Sequence, residues 1–327
     1  MNTRSIFRRP LLALPALLLL AAAAARVRLG LVQFGTAQWV AATIVRQGLD
    51  ARHGLTLRAQ TLASTEAGRI ALMAGGADIV VADWPFAAAQ RAAGTPLCFA
   101  PFSTSLGGIM VQTGSPVRGL ADLTGRRLGV AGGPLDKSWL LMQAAAKASA
   151  GIDLAAAARV VYGAPPLLAA KLTGGELDAV LTFWTFAARL EAQGCREVLS
   201  VNDCAGLLGL NRLPPLVGFV FHEAWARDNL AAVNGFLAAV TEAERVLAED
   251  EAAWAPVRPM MDAPDPALFA ALRRRFLAGI TDPPATEQAR EAAGVLEVLL
   301  RAGGTRATGG VTALPPGLFW DRNGGRA

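Results

Sequence analysis

The sequence predicts an α/β protein of two lobes, each built on a doubly wound sheet. Three observations predict it. Short apolar, β-like runs alternate with helical stretches from Val27 to Val201. Two stretches repeat one another. Leu72-Met73-Ala74-Gly75-Gly76-Ala77-Asp78-Ile79 and Leu172-Thr173-Gly174-Gly175-Glu176-Leu177-Asp178-Ala179 each run from a helix end through a Gly cap to an acid just before an apolar strand. Finally, 327 residues with 53% apolar and 17% charged side chains supply ample core and argue against a disordered or coiled-coil chain.

The amino terminus precedes the first lobe. Arg4, Arg8 and Arg9 form a positive segment, Pro10 to Leu20 is apolar, and Ala21 to Ala25 supplies small residues. This is the three-part pattern of a secretory signal peptide, expected over residues 1–25. The apolar run is shorter than the roughly 20 residues of a spanning helix, so export rather than anchoring is expected. No Cys follows it, against a lipoprotein. Sec and twin-arginine export both stay open. The formal charge of +5 owes most of its excess to these three arginines. No basic stripe marks a nucleic-acid face, and no nucleic-acid partner is expected.

The elements follow in order. Val27 to Phe34 reads as a strand, Gly35 to Gln38 as a loop and Trp39 to Gln47 as a helix. Leu55 to Leu62 is a second strand, Thr65 to Ala74 a helix, Ala77 to Ala82 a third strand and Pro96 to Pro101 a fourth. Gly108 to Gln112 reads as a strand leaving the first lobe. A second set then begins with a helical turn at Leu120 to Gly125 and a strand at Arg127 to Ala131. A helix at Ser138 to Ala150, a strand at Arg159 to Tyr162, a helix at Pro165 to Gly174 and a strand at Ala179 to Thr182 continue it. A helix to Gln193 and a strand at Glu197 to Val201 complete it. Leu216 to Phe221 reads as a strand returning to the first lobe, and Glu223 to Asp250 as one long amphipathic helix. Proline-punctuated helices reach Leu300, and the Gly/Pro-rich end is expected to wrap the surface or be mobile. Asp78 and Asp178 are expected to shape the strand entrances.

Three cysteines, Cys98, Cys195 and Cys204, leave at least one unpaired. Cys195 and Cys204 could bridge in an oxidising compartment, or all three could be buried thiols. None has zinc-site spacing, and with only His53 and His222 a histidine-based metal or catalytic cluster is not expected.

Leu72 to Val80, Leu120 to Val130, Pro166 to Ala179 and Pro214 to Asn234, in this order and spacing, resemble periplasmic solute-binding proteins of ABC importers. The branch is the nitrate, sulfonate, taurine and thiamine-precursor type. The resemblance implies the two-lobed, type II periplasmic-binding-protein fold. One lobe would take residues 26–108 and 216–327, the other 109–215, with a two-segment hinge between them. It also implies a soluble periplasmic monomer that closes on one small solute and docks on an inner-membrane permease and its ATPase. No cofactor and no catalysis are expected. The alternative is an enzyme of lyase or dehydratase type on the same fold. A sensory or accessory subunit is a third reading.

Ligands of open α/β sheets bind beyond the carboxyl ends of the strands, often at helix N-termini. That rule selects Gln38 and Trp39, Thr65 and Glu66, Asp83 and Trp84, Ser105, the run Asp136, Lys137, Ser138 and Trp139, and Trp184. Four of the seven Trp fall in these loops, where paired indoles could clamp a planar ring or surround a cation, or where each could instead cover the core of its lobe. The loops carry Glu66, Asp83, Asp136 and Lys137 but no Arg, although Arg69 and Arg91 could fold back. Acids beside indoles suit a nitrogen heterocycle or another small organic compound better than a sulfonate or nitrate. A metal chelate held by Asp83, Asp136 and Glu66 is a further alternative. Each of these acids also has a simpler reading: a turn residue at Asp83, a first-turn helix residue at Glu66 and a helix cap at Asp136.

Overall fold

The computed structural model describes residues 24–33, 35–281 and 283–321. The expected signal peptide, apart from its last two positions, lies outside the described residues.

The first half runs β1 (Ala25–Val32), α1 (Ala37–Arg46), α2 (Leu49–Arg52), β2 (Leu55–Leu62), α3 (Thr65–Met73), β3 (Ile79–Asp83), α4 (Trp84–Ala92) and β4 (Leu97–Ser103). The second half runs β5 (Gly108–Gln112), β6 (Arg127–Ala131), α5 (Lys137–Ala150), α6 (Leu154–Ala157), β7 (Arg159–Gly163), α7 (Pro165–Thr173), β8 (Ala179–Thr182), α8 (Trp184–Ala192), β9 (Cys195–Ser200) and α9 (Cys204–Leu207). β10 (Val217–His222), α10 (Glu223–Asp228), α11 (Leu230–Glu249), α12 (Pro266–Ala278) and α13 (Ala285–Ala307) complete the chain.

Two five-stranded sheets result, ordered β2-β1-β3-β10-β4 and β7-β6-β8-β5-β9. In each, three parallel strands adjoin one antiparallel strand contributed across a crossover: β10 lies between β3 and β4, and β5 between β8 and β9. The fold is the two-lobed α/β architecture that the alternating runs predict. The repeat is visible in atomic detail. Asp78 accepts from the Arg28 backbone N at 2.8 Å and takes its guanidinium in a fork, and Arg28 Nη1 donates to Gly75 O. Asp178 does the same with Arg127, whose Nη2 donates to Gly175 O. Each carboxylate thus locks the start of one strand to the entrance of the next.

One core gathers Val27, Leu29, Trp39, Phe219, Phe236 and Trp254 beside the first sheet. The carboxyl-terminal helices, expected wholly with the first lobe, pack on both: α12 lies against α8 and α13 against α5. Arg275 strengthens the first contact by reaching Glu191 and Glu197.

Two expectations are corrected, and one open pair of alternatives is decided. The helix expected over Glu223 to Asp250 breaks at Asn229 (φ −125, ψ 37), whose side-chain amide donates to Trp225 O. The tail does not merely wrap the surface. Phe99 N donates to Leu318 O at 2.7 Å and Trp320 N to Phe99 O at 2.8 Å, so the buried Phe319 pairs with the outer edge of β4. Cys195 and Cys204 do not bridge: all three cysteines are free and buried. Burial pushes the Cys98 and Cys204 thiols up to about 12. Among the described residues, no helix is long and apolar enough to cross a membrane.

Candidate functional site: the cleft between the lobes

A cavity of about 750 Å³ opens between the two sheets. Residues at the ends of β1, β3 and β4 line it from one side, and residues following β6 and β8 from the other. The crossovers at Ser105 to Gly107 and Leu216 to Val217 also border it.

Five helices begin at this cavity, because each follows a strand whose carboxyl end faces it. Three starts are capped by side chains. Ser64 accepts from Ala67 N for α3, Asp83 from Phe86 N for α4, and Asp136 from Trp139 N for α5. Two are not: Thr36 makes no side-chain cap for α1, and Phe183 has no polar side chain to cap α8. Backbone carbonyls take up part of their first N–H groups, Gly35 O accepting from Gln38 N, Thr36 O from Trp39 N and Phe183 O from Phe186 N, and both starts carry the positive end of the helix dipole. The turn before α5 needs Gly132, whose φ of +92° is left-handed and lets the loop fold back on Asp136.

Eight of the twelve residues selected from the sequence line this cavity: Thr65, Glu66, Asp83, Ser105, Asp136, Lys137, Ser138 and Trp184. Part of that polar capacity is already committed. Ser105 Oγ donates to Arg275 O at 2.8 Å. The Asp136 carboxyl is pushed up by burial, opposed by the Trp139 backbone N–H and the Lys137 charge.

Four do not line it. Gln38 spends its amide on Val32 O at 2.8 Å. Trp39, Trp84 and Trp139 are buried core residues at 3%, 0% and 1% exposure, so the clamp of paired indoles is absent. Trp39 and Trp139 are each the third residue of their helices, α1 and α5, and belong to the cores beneath them. Trp84 opens α4 and belongs to the same core cluster as Phe99 and Val220. Only Trp184 among the four reaches the cavity, with Trp39 edge-on to it at 6.0 Å.

Sequence reasoning also understated the positive charge. Arg69 lines the cavity, one helical turn beyond Glu66 on α3. That i, i+3 spacing was the available signal. Arg91 instead pairs with Glu223 and donates to Pro316 O, outside the lining. Thr36, Ser103 and Thr185 also line the cavity, beside the selected Gln38, Ser105 and Trp184, but nothing in the sequence singled them out. The carboxylates do not assemble a metal site. Asp83 faces Lys137 and Arg69, Asp136 caps α5, and no cluster suited to a metal occurs among the described residues.

A two-lobed α/β fold with an interlobe cavity ringed by helix starts defines a class of clamshell binding architecture. The chain belongs to the NMT1-like family, whose model matches residues 21–257. Among solved structures it is similar to the periplasmic aliphatic sulphonate binding protein SsuA from Escherichia coli, at 19% identity, 86% of this chain, 87% of that chain and a TM-score of 0.69. It is also similar to the alkanesulfonate-binding protein SsuA from Xanthomonas axonopodis pv. citri bound to MOPS, at 18% identity, 87% and 95% coverage and a TM-score of 0.62. A third similar structure is an enzyme, the desulfurization enzyme DSZB, at 15% identity, 86% and 96% coverage and a TM-score of 0.57. These likenesses show the fold. No curated protein sequence matches the chain.

Proposed function

We propose that the chain is an extracytoplasmic solute-binding protein that captures one small organic molecule between its lobes and delivers it to an ABC permease and its ATPase. The observation that carries this reading is the cavity itself. It is about 750 Å³, a size suited to a small molecule, and both lobes and both crossovers contribute to its lining. A ligand there touches parts of the molecule that no single lobe provides, so binding favours closure. Family membership and the named binding proteins of the same fold support the reading. The signal-like amino terminus supports a place in the periplasm.

The enzyme reading is weaker. Neither His53 nor His222 nor any cysteine lines the cavity. The lining acids are engaged as helix caps or ion-pair partners rather than set as a free acid–base pair. As for the solute, Trp184 and the apolar side chains of Phe102, Phe183 and Leu106 suit an organic body, and a nitrogen heterocycle remains within what Asp83 and Glu66 could accept.

A thermal-shift screen tests the reading, using aminopyrimidines, sulfonates, nitrate, polyamines and metal chelates. One class should stabilise the chain by about 2.7 kcal/mol at a hundredfold excess over Kd. Turnover of a bound compound, or no response to any class, contradicts it.

A further inference from the structure

Both cationic side chains among the described lining residues face a single carboxylate. Asp83 ends β3 in the first lobe, and its Oδ1 accepts from Phe86 N at 2.8 Å as the cap of α4. Its Oδ2 accepts from Lys137 Nζ of the second lobe at 2.8 Å and lies 3.4 Å from Arg69 Nη2. The arrangement is fixed from several sides. Asp83 and Lys137 are 17% and 29% exposed, and the Arg69 guanidinium lies 4.6 Å over the Phe86 ring. Glu66 stands 3.7 Å from Arg69 Nη1. The other charged lining residues, Glu66 and Asp136, are acids.

We infer that Asp83 is a specificity-determining residue whose carboxylate already fills the anion position between Arg69 and Lys137. An incoming simple anion meets cations that are neutralised and a carboxylate that repels it. The cleft therefore selects a solute without net negative charge. A neutral or cationic group accepts the arrangement as it stands and can place a donor on Asp83 or Glu66. Nothing local forces Asp83 onto Lys137, since the two lie on different lobes and the α4 cap uses the other carboxylate oxygen. This inference deepens the solute-binding reading and rests on it.

The test compares the chain with Asp83→Asn, in which the amide oxygen still caps α4 but the charge is gone. Methanesulfonate is the probe, titrated by calorimetry at low, constant ionic strength. Asp83→Asn should bind it at least about tenfold more tightly than the unsubstituted chain, a modest share of what one charge at contact distance is worth. Adding Lys137→Met should remove the gain. Asp83→Ser, which also keeps a capping oxygen, should reproduce it and replaces Asp83→Asn if that variant does not fold. Equal affinities, tighter binding by the unsubstituted chain, or no binding by any variant overturns the role of Asp83. The two failures are distinguishable: a chain that answers no solute in the thermal screen overturns the solute-binding reading, whereas these titrations judge Asp83 alone.

Discussion

At each lobe's mouth one helix follows the first parallel strand and one the third, one capped and one not, and the two lobes reverse the pairing. In the first lobe α1 starts uncapped at Thr36 and α4 is capped by Asp83. In the second lobe α5 is capped by Asp136 and α8 starts uncapped at Phe183. Behind the mouths the halves match closely, down to the Arg28–Asp78 and Arg127–Asp178 forks. The difference teaches that the repeat keeps its scaffold at the strand entrances and diverges at the strand exits, where ligands bind. It also makes the two lobes unlike partners: Asp83 closes off one side, and Trp184 offers a ring on the other.

The comparison breaks most severely at the crossover joining the halves. A Cβ on Gly107 would stand 1.5 Å from Thr182 O at the end of β8. Gly107→Ala should therefore cost at least about 3 kcal/mol in urea unfolding, because backbone rather than a side-chain tip must give way. Wild-type stability in that variant would show that the crossover tolerates displacement. Next comes the paired tryptophan position. Trp84→Ala empties a site at 0% exposure and should cost about 3–5 kcal/mol, measured in the same way. Trp184, half-buried at the cavity, should cost less when truncated.

The smallest effect concerns the second fork. Hydrogen bonds from Arg127 hold the Asp178 carboxyl below the usual carboxylate range. A carboxylate depressed in the folded state stabilises the fold above its unfolded pKa, and that contribution is lost as pH falls through the folded value. Acid unfolding of Asp178→Asn should lack this part of the decline, and a slope unchanged from wild type would contradict it. Both partners are partly exposed, so salt should shrink the difference.

Much of the architecture is legible in the sequence because it rests on local chemistry. Gly75-Gly76 and Gly174-Gly175 stop helices, and the acids that follow mark strand entrances. The loops of the cleft follow from strand polarity. Tryptophan orientation does not, because Trp84 and Trp184 both begin a helix and only the surrounding packing sends one inward and leaves the other at the cavity. The Asp83–Lys137 pair joins residues 54 apart on different lobes, a contact that no local pattern encodes. The tail departs from its composition for a related reason: the Gly/Pro-rich run suggests a mobile or surface segment, yet Leu318 and Phe319 are buried beside an open strand edge.

Trp184 lines the cleft and Trp84 lies in the core, so the proposed solute should meet Trp184 and not Trp84. Calorimetric titration decides this directly, using the solute that gives the largest thermal shift against the chain, Trp184→Ala and Trp84→Phe. Trp184→Ala should lose about 1–3 kcal/mol of binding free energy, typical of a lost stacking ring, while Trp84→Phe keeps the affinity of the unsubstituted chain. Undiminished binding by Trp184→Ala, or an equal loss in both variants, would contradict it.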